Sequence, residues 1–353
     1  MTGHPAPLFR HDSRIRRDRN SPKPYEHVVS VSGGKDSTAV YLLAIERGMP
    51  FTAVFADTGH EHPATYEFVE RLAERTGGPA VIKVKADFTK AIERKRAFIL
   101  KNWERHGVPA ERVERAASLL NPSGNPFLDL CMVKGRFPSA KGRFCTDELK
   151  LVPCWIGIER PILADGRTLV KWLGVRAEES FARSILMPWQ RLGDPVPHCL
   201  PKAAHTEAAD AGWRAYVYRP IHHWLRSHVF AMHARHGLDP NPLYGRGAER
   251  VGCWPCIMVK KDELRLIAGI DPAAIDRLEE WEHIVGDVSK RGLSTFFAAV
   301  DDPLFKPGAE VTLDAFGIRS FVEWSKTSYG GRQYDLVAMA DMYASCQEIG
   351  VCE

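Results

Sequence analysis

Six consecutive residues, Ser32-Gly33-Gly34-Lys35-Asp36-Ser37, combine features suited to holding a phosphate. The glycines let backbone N–H groups approach an anion with no Cβ in the way. A helix starting within the run would present its N-terminal amides and dipole to the same oxygens. Lys35 supplies a mobile positive charge, and Ser32 and Ser37 add hydroxyl donors. Asp36 would be repelled by a phosphate unless Mg²⁺ lies between them or its carboxylate caps a backbone turn. The run is not G-x-x-x-x-G-K-[ST], so it is not the Walker loop. The plain alternative is a glycine turn with no ligand.

Cysteines form the second set. Cys253 and Cys256 make a C-x-x-C turn, and Cys346 and Cys352 lie close together in the sequence. Such a turn can set two thiolates on one metal, act as a dithiol, or belong to a structural zinc site. One pair cannot complete a four-thiolate site, so partners must come from elsewhere. Cys131, Cys154 and Cys199 read as ordinary thiols, and Cys346, if left outside a metal site, is a candidate persulfide carrier. The spacing of His222, His223 and His228 is not that of a zinc-binding helix, and Trp224 and Tyr244 read as core.

These residues need elements to position them. An apolar run at 27–32 followed by helical spacing at 38–47 reads as strand, glycine turn, helix. A second strand at 51–55 ends at Asp57-Thr58-Gly59, a helix follows at 61–76, and a third strand is expected at 80–84. Strands alternating with helices imply an α/β fold, a parallel sheet with helices on both faces. The rhythm breaks between about 88 and 150, where a charged helix at 89–105 and a Gly/Pro-rich loop at 122–138 read as an insertion over the sheet edge. The helix's charged stretch, 93–105, is either a solvated face or the wall of a nucleic-acid groove. Strands return at 169–174 and 215–219, with helices at 225–236, 262–270 and 272–288. Three parts are expected: a basic arm at 1–24, an α/β domain at 25–250, and a smaller cysteine-bearing part at 251–353.

The 353 residues are 44% hydrophobic and 26% charged, with a net charge of +4 and eight cysteines. Six cations and two acids in residues 1–24 account for all of that net charge, so the arm is either a solvated tail or a nucleic-acid contact. No apolar run approaches the ~20 residues of a membrane span, and the first twenty residues resemble no secretory leader. The expectation is a cytoplasmic protein without a membrane partner, in which a disulfide framework is out of place.

The 32–37 run resembles the PP-loop of the ATP pyrophosphatases, which adenylate a substrate and release pyrophosphate. The stretch 28–256 is similar to the phosphoadenylylsulfate (PAPS) reductase branch of that superfamily. The resemblance is carried by Asp57-Thr58-Gly59-His60-Glu61 with Thr65, by Gly174-Val175-Arg176-Ala177-Glu178-Glu179-Ser180 with Arg183, by 219–224, and by Asn241-Pro242-Leu243-Tyr244. It implies an adenine nucleotide α-hydrolase-like fold and binding of ATP with Mg²⁺. Lys35, Asp36 and Ser37 would be catalytic. Ser32, Gly33, Gly34, Asp57, Thr58, Gly59, Arg176 and Arg183 would join them in binding nucleotide, although both arginines could instead pair with Glu178 or Glu179. Cys145, in Arg143-Phe144-Cys145-Thr146, resembles a cluster segment of adenylylsulfate reductases. Gly252-Cys253-Trp254-Pro255-Cys256 is similar to a segment of the DNA phosphorothioation sulfurtransferase. Both imply a [4Fe–4S] cluster on Cys145, Cys253, Cys256 and Cys352, with zinc as the alternative. A nucleic-acid substrate and a sulfur-donor protein are the implied partners. Reductases proper lose the loop Lys and Asp and carry a Glu-Cys-Gly-x-His tail, whereas this chain keeps Lys35 and Asp36 and ends Gly350-Val351-Cys352-Glu353. ATP cleavage is therefore expected over sulfate reduction. A nucleotide-binding subunit without catalysis is the third reading.

Overall fold

In a computed structural model, residues 25–191, 200–298 and 310–328 are described. A six-stranded sheet runs in the order β3-β2-β1-β4-β6-β5. Its strands are β1 (Tyr25–Ser30), β2 (Phe51–Asp57), β3 (Val81–Lys85), β4 (Thr168–Trp172), β5 (Trp189–Arg191) and β6 (Ala215–Tyr218). All pairings are parallel except that of β5 with β6. The parallel sheet expected from the sequence is present, with one antiparallel edge strand that was not anticipated.

The chain leaves β1 toward β2 and β3 on one side and returns to place β4 on the other. The carboxyl ends of β1 and β4 thus flank the point where strand order reverses, where open α/β sheets form their ligand crevice. Both faces are covered, as near-continuous apolar strands require. Val29, Val170 and Trp172 pack with α1 (Lys35–Glu46) and the helix Arg226–Arg235 on one face. Val28, Val54, Leu169 and Leu173 face the other, against Trp155, Ile162, Leu163 and Ala204. The helical run over 144–164, which alternates α and π turns, supplies much of that second layer.

A third core joins α4 (Thr89–Asn102), α5 (Ala110–Leu119) and α6 (Pro126–Lys134) to the helices Lys261–Ile270, Pro272–Asp287 and Ile318–Lys326. The 88–150 segment and the residues after 251 therefore share one helical core, which crosses the boundary drawn at 250. Two sequence expectations are corrected here. The 122–138 segment contains α6, whose start is set by Asn125 accepting from Leu128 N at 3.1 Å with Pro126 next, and whose end is set by Gly135 at φ +65°. Its apolar residues lie all round the helix because nearly all of it is buried, so no amphipathic period showed. The helix expected over 61–76 begins only at Pro63, since His60 and Glu61 are engaged by the cysteine turn, and it is divided at Arg71 into α2 (Pro63–Glu70) and α3 (Leu72–Thr76). No helix among the described residues is long and apolar enough to cross a membrane.

Candidate functional site

The 32–37 loop links β1 to α1 at the reversal point. Gly33 sits at φ +79°, and a Cβ there would lie 2.7 Å from Thr65 Cγ2. Ser37 Oγ accepts from Ser32 N at 3.0 Å, lies 2.9 Å from Ser32 Oγ, and donates to Gly34 O at 3.2 Å. The two serine hydroxyls therefore brace the loop. His233 Nε2 donates to Lys35 O at 2.8 Å, and Asn241 Nδ2 reaches both Gly33 O and Thr65 Oγ1 at 3.2 Å.

Asp36 is fully buried. Its carboxylate sits 3.0 Å from Lys35 Nζ and 2.5 Å from Arg176 Nε, so protein cations neutralise it. Arg176, nearly buried, also pairs with Glu178 and lies 3.8 Å from Glu179. Arg183 pairs with Glu179 in turn, which places it one layer behind Arg176. The ion pairs with Glu178 and Glu179 offered as the alternative role are thus present: both guanidinium groups are buried, while Glu178 is 43% exposed and Glu179 20%. Gly174 brings this network close: a Cβ on it would lie 2.7 Å from Ser37 N.

Tyr244 is a functional candidate that sequence reasoning assigned to the core. Its hydroxyl accepts from Lys35 N at 2.9 Å, and Lys35 Nζ lies 5.5 Å from its ring centre. The phenol oxygen thus takes one of the amides that open α1. Its place in Asn241-Pro242-Leu243-Tyr244 was the signal, since that segment had been singled out without a role.

The Asp57–Glu61 segment links this loop to the cysteines. Asp57 Oδ1 accepts from Gly59 N at 2.9 Å and from Tyr66 Oη at 2.7 Å. Thr58 turns away from the loop: its N and Oγ1 donate to Glu61 at 3.2 and 2.6 Å. Gly59, at φ +75°, packs on Asn125 and Pro126 at the start of α6. Glu61 is buried and also accepts from Tyr66 Oη at 2.8 Å; burial raises its pKa despite the opposing charge of Lys150. Glu61 and Cys253 form an antiparallel bridge, Trp254 N donates to His60 O at 2.7 Å, and His60 Nε2 donates to Pro255 O at 2.8 Å. Burial and then Arg277 hold His60 down at about 3, so it is neutral, stacked 4.4 Å from Phe127.

Cys145, Cys253 and Cys256 line one small cavity of about 20 Å³, together with Thr58, His60 and Lys150. That is room for roughly one water. Burial pushes the thiols of Cys145 and Cys253 up to about 11 and about 12. Burial also opposes the charge on Lys150, but Cys253 and then Glu61 outweigh it and raise its pKa. The three cysteines singled out in the sequence therefore meet, and Lys150 is a cation beside them that was not assigned a role. Among the described residues no three His, Cys, Asp or Glu side chains form a group ready to hold a metal. The soft donors fit a thiophilic ion, but they are not a closed ligand set. Cys352, Cys346, Cys199 and the 1–24 arm lie outside the described residues. Cys131 and Cys154 are buried in separate cores, in line with ordinary thiols.

Sheet and loop together define a doubly wound α/β protein with a glycine-rich loop at its strand-order reversal. The chain belongs to the phosphoadenosine phosphosulfate reductase domain family, whose match spans residues 26–259. It is 45% identical over 340 residues to a 37.8 kDa protein of the gpa 5′ region of Escherichia phage 186, covering 93% of this chain and 96% of that one. Over 42 residues it is 45% identical to the adenosine 5′-phosphosulfate reductase of Deinococcus radiodurans, covering 12% and 16% of the two chains. The crystal structure of phosphoadenylyl-sulfate reductase from Candida auris, a phosphate complex, matches with a TM-score of 0.37 and 18% identity over 65% of this chain and 81% of that one.

Proposed function

We propose that the protein is a PP-loop ATP pyrophosphatase that transfers the adenylyl group of ATP to an acceptor and releases pyrophosphate, in preparation for sulfur transfer, in which AMP then leaves. The observation that carries this reading is the retained pair Lys35 and Asp36, built into the loop through the buried contact of Asp36 with Arg176. The loop amides and the N-terminus of α1 would bind the phosphates. Lys35, held beside them, would stabilise charge on the pyrophosphate as it leaves the α-phosphorus. Asp36 would keep Lys35 and Arg176 in place and lower their combined positive charge.

Mg²⁺ is usually held by one or two carboxylates together with substrate phosphates, so the absence of an all-protein cage among the described residues is compatible with it. Asp57, at the carboxyl end of β2, would be the nearest candidate ligand beyond the loop. Cys145, Cys253 and Cys256 would hold zinc or a cluster, which would supply a thiophilic centre for sulfur.

Family membership favours a second reading, reduction of an adenylylated sulfate. The retained Lys35 and Asp36 weigh against it, because a reductase that binds a finished nucleotide has no pyrophosphate to release. Incubating the pure protein with ATP and, separately, with PAPS distinguishes the two. Pyrophosphate is expected from ATP, together with AMP when water takes the acceptor's place; sulfite from PAPS with no ATP turnover would overturn the proposal. A broad visible absorption band in anaerobically purified protein would indicate a cluster, and a colourless zinc-loaded protein would indicate zinc.

A further inference from the structure

A cleft of about 980 Å³ lies between α4, the end of α6 and the turn at 288–295. Lys95, Lys134, Arg136, Lys290 and Arg291 line it, and among the described residues no acidic residue does. Two of the five are internally committed: Lys134 lies 3.1 Å from Glu148 Oε1, and Lys95 Nζ donates to Met132 O at 2.5 Å. Arg136, Lys290 and Arg291 are exposed and pair with no carboxylate among the described residues. Phe98 stands in the same wall with 57% of its surface exposed, and Trp103 and Phe137 lie behind it.

From this geometry we infer that the cleft is a binding groove for single-stranded nucleic acid. Three exposed cations that pair with no carboxylate among the described residues suit a polyanion, and the volume exceeds what a single small anion needs. An exposed phenyl ring among those cations favours nucleic acid over an acidic protein, because every base offers a face to stack on it. A single strand is favoured over a duplex, which hides its base faces. Two lining cations also sit beside the segment that carries Cys145: Lys134 Nζ and Arg136 Cζ lie 5.6 and 5.4 Å from the ring centre of Phe144, the residue before Cys145. That the bound strand is the acceptor rests on the adenylation reading; that it binds does not.

Fluorescence anisotropy of the full chain with a labelled single strand of roughly 20 nucleotides tests the groove. Binding should weaken at least about tenfold in the Lys290→Glu/Arg291→Glu double variant, and its log–log salt slope should fall by about 1.4, since each lost phosphate contact removes about 0.7. Phe98→Ala should weaken it about fivefold or more through lost stacking. Both variants should keep the pyrophosphate release from ATP measured without nucleic acid, where water takes the acceptor's place, within about twofold, whereas Lys35→Ala should lose that release and keep strand binding. Unchanged affinity in the double variant would overturn the inference. Equal binding of the matched duplex would overturn its single-stranded form, and competition by polyglutamate as strong, charge for charge, as by oligonucleotide would reassign the cleft to an acidic protein.

Discussion

At the residue scale the decisive group is Asp36, a carboxylate with no exposed surface between Lys35 and Arg176. A buried charge that loses one partner is costly, so Arg176→Ala should destabilise the protein by about 3–5 kcal/mol in urea unfolding. Lys35→Ala removes the group proposed to stabilise the leaving pyrophosphate and leaves Asp36 paired with Arg176. It should reduce pyrophosphate release from ATP by about 10²–10³-fold, measured with a coupled phosphate assay at a temperature where melts show the variant folded. A Lys35→Ala protein with undiminished turnover would remove the lysine from the chemistry.

At the element scale the site depends on how closely the turn after β4 meets the start of α1. Gly174 allows that approach: a Cβ on it would sit 2.7 Å from Ser37 N and 2.8 Å from Asp36 C, backbone atoms that cannot rotate away. Gly174→Ala should therefore push the loop from β4 and reduce both nucleotide binding and thermal stability. Gly48→Ala is the control. Gly48 lies at φ +60° with nothing within 4 Å of the added Cβ, so that change should cost only about 1–2 kcal/mol of backbone strain and leave ATP binding intact. Isothermal titration with a non-hydrolysable ATP analogue, alongside thermal melts, separates the two effects.

At the scale of the whole molecule, Glu282 ties three distant stretches together. It is 1% exposed, and its carboxylate accepts from Phe296 N at 2.6 Å and from Ile318 N at 2.9 Å. Burial raises its pKa from 4.5 to about 7, only partly opposed by those hydrogen bonds. Between those values the folded protein keeps a proton that the unfolded chain releases, so stability falls as pH rises through the window and levels off above about 7. The loss is on the order of 3 kcal/mol for a shift of this size. Unfolding midpoints in guanidinium between pH 5 and 8 should show that decline, and Glu282→Gln should flatten it. A Glu282→Gln profile parallel to the wild type would assign the pH dependence elsewhere.

The sequence by itself determined the local things: a glycine-rich loop between strand and helix, the alternation of strands and helices that makes a parallel sheet, and most helix positions. These follow from short-range chemistry, namely φ freedom at Gly33, apolar periodicity in α1, and end signals around helices. It also singled out Cys145, Cys253 and Cys256 by type and pattern. Only the tertiary structure decided that these three line one cavity, that Asp36 is neutralised by Arg176, and that Arg183 stands behind it. Each depends on side chains brought together across 100 residues or more, a juxtaposition no local pattern encodes. Tyr244 shows the same limit, because an aromatic buried for packing and one whose hydroxyl holds the Lys35 amide look alike in sequence. Helix α6 was hidden for a related reason: its polar and apolar faces are not distinct, since the shared helical core surrounds it, and that core exists only once residues 92–132 meet those after 243.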